Sequence, residues 1–193
     1  WCMLNDIEVD ATIERSEMNR QFVRSVLKDP KLPRAVRESI PDWLDELVAE
    51  QLGDRTDETW AALNSVAPVF LRANTIKISA EKLIQDLKQD RVEATLVGED
   101  CIQLAQRANV FLSKSFKLGH FEVQDASSQR VAPALLVEPG MRVIDACAGA
   151  GGKTLHLAAL MKNKGKIIAL DIHDKKLEQL RERANRDGAT CIE

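Results

Sequence analysis

Two acids and two glycines carry the chemistry that can be read from this chain. Asp145-Ala146-Cys147-Ala148-Gly149-Ala150-Gly151-Gly152-Lys153-Thr154 follows a short apolar run over 141–144 and precedes an amphipathic one over 155–161. Strand, glycine-rich turn and helix in that order bring a ligand against bare backbone at a helix N-terminus. The next apolar run, 167–170, ends on Asp171. An acid at the end of a second strand is placed to accept both hydroxyls of a ribose. The combination predicts a nucleoside-cofactor site.

Spacing separates the cofactor classes. A phosphate-cradling loop needs Gly, four residues, then Gly-Lys-Ser/Thr; Gly152-Lys153-Thr154 supplies the end, but Cys147 stands where the first glycine belongs. A dinucleotide fingerprint needs a third glycine for close helix–strand packing, and that slot holds Thr154. The pattern that fits is an acid, three residues, then Gly-x-Gly, as in Asp145 followed by Gly149-Ala150-Gly151. It resembles the first motif of methyltransferases that use S-adenosyl-L-methionine on a Rossmann-like sheet. That cofactor has no pyrophosphate, so the turn must admit an amino-acid tail and a sulfonium. Gly149 and Gly151 remove Cβ atoms that would block close approach. Backbone N–H groups of Gly152 and Lys153 then face the methionine carboxylate. The Lys153 side chain either adds its charge there or extends into water.

The likeness is longer than one turn. Phe121-Glu122-Val123-Gln124-Asp125-Ala126-Ser127-Ser128-Gln129 precedes it, and Leu71-Arg72-Ala73-Asn74-Thr75-Ile76-Lys77 lies further upstream. From about Pro41 onward, these blocks in this order resemble the RsmB/Sun (NOL/NOP2/Sun-type) family of RNA 5-methylcytosine methyltransferases. Many members carry Ala-Pro where this chain has Gly149-Ala150. The resemblance implies that Cys147, Ala148, Gly149, Ala150, Gly151, Gly152 and Lys153 hold S-adenosyl-L-methionine, that Asp171 binds its ribose, and that the substrate is rRNA or tRNA. Asp145 is expected to act through water or by fixing the turn, or to cap local backbone. In the family a cysteine thiolate adds to carbon 6 of cytosine, so that carbon 5 attacks the sulfonium methyl. A second cysteine assists release, and an acid polarises the base. Those cysteines stand in Asp-x-Pro-Cys and Thr-Cys-Ser turns, and neither occurs here. No catalytic residue is therefore assigned, and the chain is read as an inactive piece of a longer protein that stops as a third strand begins at 191–193. Cys147 is expected to pack as a small buried apolar residue.

The remaining composition sets bounds. A chain of 193 residues, 45% of them hydrophobic, can bury the core of one or two domains. No apolar stretch is long enough to span a membrane. Four cysteines without C-x-x-C pairing, and no signal peptide, suit a reducing cytoplasm. His120, His156 and His173 show no metal-ligand spacing. A net charge of −3 and 4% aromatic residues give little general affinity for nucleic acid. Arg15, Arg20, Arg24 and Lys28, followed by Lys31, Arg34 and Arg37, form local basic clusters, which are more often solvated faces.

The expected architecture is α/β: the N-terminal part of a Rossmann-like methyltransferase sheet (119–193), preceded by a small α+β domain (54–118) and a helical segment (1–53). By the resemblance, the helical segment is the trailing edge of a NusB-like RNA-binding domain. Helices are expected over 12–28 and from Pro41 to Gly53, the second with a core stripe of Trp43, Leu44, Leu47 and Val48. A strand over 69–74 carries Arg72 and Asn74 on one face. With Lys77 they either seat RNA, brace the catalytic domain or decorate the surface. Ser79 should cap a helix, and 94–97 with 102–104 should form a hairpin. Short helices are expected over 110–116 and from Asp125 or Ser127 to Leu136, the latter disturbed by Pro133. Asp174 should cap a helix ending at Gly188, with Leu177, Leu180 and Ala184 inward. Gln124 and Asp125 are candidates for one wall of the pocket, and His173 is expected in an exposed loop. With a fourth strand missing, 142–146 would be an unpaired edge through which the piece associates with itself. Two other readings stay open: a different Rossmann enzyme, such as another methyltransferase or an NAD-dependent dehydrogenase, and a non-catalytic RNA-binding module.

Overall fold

The structure is a computed structural model that describes residues 31–193. The helix expected over 12–28, with its basic residues, lies outside the described residues. The chain divides into two compact units, Trp1–Val66 and Ala67–Glu193.

In the first unit, Pro33 and Pro41 stand immediately before helices α1 (Arg34–Glu38) and α2 (Asp42–Leu52), and α3 (Thr56–Leu63) follows. Gly53, at φ 53°, ends α2 as expected. The helices are joined by Asp45, which accepts hydrogen bonds from Arg34 Nε at 2.7 Å and Trp60 Nε1 at 2.9 Å. The stripe on α2 needs correction. Trp43 and Leu47 are 64% and 47% exposed, and the half-buried face is Leu44, Asp45, Val48 and Ala49. These are two i,i+4 pairs, rotated one position so that Asp45 can reach α1 and α3. The helical unit also runs past the expected boundary at 53, because α3 packs its buried Trp60 here.

The second unit contains a four-stranded antiparallel sheet in the order β2-β3-β1-β4. Its strands are β1 (Phe70–Ala73), β2 (Ala94–Leu96), β3 (Cys101–Leu104) and β4 (Phe121–Val123). Helix α4 (Ala80–Gln89) covers one face, burying Leu83 and Leu87 with Leu71, Ala73, Ile102 and Phe121. Ser79 caps α4 by accepting the Lys82 N–H, and the expected hairpin is present. Strand β4 pairs Leu71 with Val123, so this sheet draws a strand from beyond 118, and a boundary there would cut it. Two expected helices are shorter than their periodicity suggests. Ser113, in extended conformation, separates a single turn at Val110–Leu112 from α5 (Lys114–Lys117), and its Oγ accepts the Phe116 N–H. After Asp125, helix α6 stops at Gln129, and a separate turn begins at Pro133, which has no N–H to continue a helix.

The Rossmann-like portion follows: β5 (Arg142–Asp145), α7 (Gly152–Leu160), β6 (Lys166–Ala169) and α8 (Asp174–Asp187). β5 and β6 are parallel, with Asp145 opposite Ala169. Ile192 extends the sheet by a parallel bridge to Ile167, where a third strand was expected. Leu155, Ala158, Met161, Ile167, Leu180 and Ala184 form the core. The residue capping α8 is His173 rather than Asp174. Asp174 instead occupies the first turn, where its charge complements the helix dipole.

Candidate functional site

The glycine turn emerges at the carboxyl ends of two adjacent parallel strands, where ligands of open α/β sheets bind. It is tied to both. The Leu170 N–H donates to Asp145 O at 2.8 Å, and the Ala148 N–H donates to Leu170 O at 2.9 Å. Asp145 braces the turn: one carboxylate oxygen accepts the Cys147 N–H at 3.3 Å, the other the Thr154 hydroxyl at 2.7 Å. This ties the end of β5 to the first turn of α7: of the roles expected for Asp145, the contact with Cys147 is local backbone capping and that with Thr154 fixes the turn.

Asp171 comes to the same place from β6. Its Oδ2 accepts the Gly149 N–H at 2.8 Å and its Oδ1 the His173 N–H at 2.9 Å. These two bonds, that from His173 first, hold its carboxyl below the usual aspartate range. A carboxylate oxygen has two acceptor sites, so one on each oxygen is still available to hydroxyls. The structure thus brings Cys147, Ala148, Gly149, Ala150, Gly151, Gly152 and Lys153 into one turn with Asp171 against it.

The two glycines differ. A Cβ on Gly149 would meet nothing within 4 Å, so this position opens onto free space, with φ 53°. A Cβ on Gly151 would lie 2.1 Å from Leu180 Cδ1, at φ 89°. Gly151 therefore serves the close packing of the turn on α8, which corrects the expectation that both glycines clear room for ligand. The Lys153 side chain is exposed. Cys147 is exposed as well, not buried as expected. The turn carries its side chain outward while its backbone N–H engages Asp145.

Arg183 and Arg186 gave no local signal in the sequence. Arg183 Nη1 donates to Ala150 O at 2.5 Å, and its Nη2 pairs with Glu122 on β4 at 2.5 Å. Arg186 pairs with the other Glu122 oxygen. Arg72 Nη1 donates to Gly152 O at 2.9 Å and to Gln124 Oε1 at 2.8 Å. Arg72 is 1% exposed. Burial lowers its pKa to about 10, against the carboxylates of Glu122, Asp100 and Asp187, so it remains a cation at neutral pH. Asn74 Nδ2 donates to Gly119 O and Asp187 O at 2.7 and 2.8 Å. Lys77 Nζ donates to Leu118 O and Arg186 O at 2.8 and 2.5 Å. Arg72, Asn74 and Lys77 are braces, and surface decoration is excluded for the first two. Asp125 is a helix cap, accepting the Ser127 and Ser128 N–H groups. Gln124 is buried against Arg72.

A family model described as 16S rRNA methyltransferase RsmB/F matches residues 132–193. A second, the ferredoxin-like domain of RsmF/B-like methyltransferases, matches residues 40–111. The chain belongs to the RsmB/F (Sun) family. Similar RsmB/F (Sun) proteins include a probable ribosomal RNA small subunit methyltransferase B of Bacillus subtilis (strain 168), 33% identical over 169 residues that cover 86% of this chain and 38% of that protein. The 25S rRNA (cytosine-C(5))-methyltransferase NSUN5 of Arabidopsis thaliana is 29% identical over 160 residues, 81% of this chain and 28% of that protein. Among solved structures, a methyltransferase homolog protein from Pyrococcus horikoshii superposes with TM-score 0.75 at 28% identity, covering 82% of this chain and 53% of that chain. The chain spans about two-fifths or less of these two curated relatives. Among the described residues no cluster of His, Cys, Asp or Glu could hold a metal ion, and no helix is long and apolar enough to cross a membrane.

Proposed function

We propose that residues 147–153 and Asp171 bind S-adenosyl-L-methionine, and that the protein they belong to methylates carbon 5 of a cytosine in rRNA, with tRNA as the alternative acceptor. The observation that carries this reading is the Asp171 carboxylate held on the Gly149 N–H, in a turn that leads into α7 and leaves open space at Gly149. The donor set fits the cofactor. The Gly152 and Lys153 N–H groups, at the N-terminal end of a helix, suit the methionine carboxylate. Asp171 suits the ribose hydroxyls through its remaining acceptor sites. When bound, the cofactor supplies an electrophilic methyl on its sulfonium.

The names of the relatives support the acceptor: small-subunit rRNA methyltransferase for one, and cytosine-C(5) methylation of 25S rRNA for another. Neither Asp-x-Pro-Cys nor Thr-Cys-Ser occurs in this sequence. These residues alone bind the methyl donor and do not form a thiolate adduct with cytosine. A cytoplasmic location accords with three free cysteines among the described residues.

Isothermal titration with S-adenosyl-L-methionine and with NAD tests the site. Heat with the first and none with the second is expected. Heat with NAD alone would reassign it to a dehydrogenase, and silence with both would leave a non-catalytic RNA-binding module.

A further inference from the structure

We infer that the small antiparallel sheet sets the shape of the methyl-donor turn through two guanidinium groups: Arg183 and Arg72 are positioning residues, the first fixing the peptide plane that closes the turn on itself and the second the plane that carries the ligand-facing Lys153 N–H. This rests on the reading of residues 147–153 as the donor site.

A turn with positive φ at Gly149 and Gly151 samples many backbone states unless something outside it selects one. Two of its carbonyl oxygens are selected in this way. Ala150 O is held by Arg183 and Gly152 O by Arg72. A peptide unit is rigid and planar, so holding the Ala150 oxygen orients the Gly151 N–H, which donates to Ala148 O at 2.9 Å. Holding the Gly152 oxygen in the same way aims the Lys153 N–H, one of the amides offered to the donor's carboxylate.

Both guanidiniums are themselves anchored on the other sheet. Arg183 reaches from α8 to Glu122 on β4, and Glu122, 3% exposed, also receives Arg186. Arg72 projects from β1 and shares its Nη1 between Gln124 and the turn. The clamp therefore ends on strands β1 and β4, which pair with each other. Its charge is also informative. A cation at a helix N-terminus opposes the helix dipole, and stability alone favours an acid there. Arg72 nonetheless contacts the first residue of α7 and Arg183 the residue before its cap. Positive charge at that end is useful when the occupant is an anion, as the carboxylate of the donor is.

The test compares wild type with Arg183→Ala and Arg183→Lys. It reads amide hydrogen exchange at residues 149–153 and at β1 and β3, and the affinity for S-adenosyl-L-methionine by calorimetry. Arg183 is the variant of choice because its side chain is 25% exposed and its loss leaves no large cavity. The expected result for Arg183→Ala is faster exchange confined to the turn and an affinity about tenfold lower. A lysine can meet Glu122 or the Ala150 carbonyl but lacks the fork that joins them, so Arg183→Lys should keep the fold and still exchange fast in the turn. Should Arg183→Ala unfold, Arg183→Lys decides alone. If wild type binds and the folded variant matches it in affinity and turn exchange, the clamp is refuted and the donor site survives. If wild type binds no donor, the site reading fails and takes the clamp with it.

Discussion

At Asp187, burial and the neighbouring Glu122 carboxylate push the pKa up to about 7, with Arg186 opposing. An unfolded aspartate titrates near 3.9, so between roughly pH 4 and 7 the native state holds a proton that the unfolded chain has lost. The native state binding more protons means stability falls as pH rises through that window. Asp187→Asn removes the titration and keeps the shape. The variant should melt above wild type at pH 8, with the gap closing by pH 5 in thermal denaturation. Asp171 yields a binding prediction instead. Asp171→Ala should weaken S-adenosyl-L-methionine roughly 10- to 100-fold in calorimetry, since it removes hydrogen bonds to a charged group; unchanged affinity would strike it from the site. Asp145, Gly149 and Asp171 could be read from sequence because strand–turn–helix chemistry is local. The Arg183–Glu122 pair could not, because its partners are 61 positions apart and nothing in either segment marks the other. The exposed Cys147 was misjudged for a related reason: residue type favours burial, whereas the turn's path points it outward.

Elements place different demands on the two glycines. Gly151→Ala drives a Cβ against Leu180, itself 2% exposed, at φ 89°, and should destabilise the fold by about 2 kcal/mol. Gly149→Ala meets open space, so its fold cost is the backbone term of about 1–2 kcal/mol, while the new methyl intrudes on the donor. Chemical denaturation and calorimetry together should show stability lost more at 151 and affinity lost more at 149. Helix ends with their own signal were legible: Ser79, Gly53 and Gly188 each stop or start a helix where expected. Periodicity misled where one backbone angle decided. Ser113 at ψ 152° splits what the apolar spacing over 110–116 presents as one helix. On α2, spacing identified a helix but not its inward face, because Asp45 is drawn in by Arg34 and Trp60.

For the whole molecule, β5 pairs with β6 on one side and with no other strand among the described residues. Ile144 is 66% exposed and Met141 42% exposed. An apolar edge of this kind recruits a further strand, and the 193-residue chain should self-associate through it. Light scattering should report oligomers that Ile144→Lys returns to monomer, and a monomeric wild type would contradict this. The α/β class and the order of its parts were legible from alternating apolar runs, but the boundaries were not. A helix at 56–63 joins the first unit and β4 returns to the second unit's sheet, both through long-range packing. The same packing imposes a delay during synthesis. The Asn74 amide waits for the carbonyl of a residue 113 positions later, and Arg72 for one 80 positions later. At translation speeds of about 5–20 residues per second, β1 leaves the ribosome seconds before β4 and Gln124, 52 positions after Arg72, and on the order of ten seconds before the Gly152 carbonyl. Over that interval Arg72 stays in water, and the antiparallel sheet can close around it only when β4 arrives with Gln124, before the turn it will hold has been made.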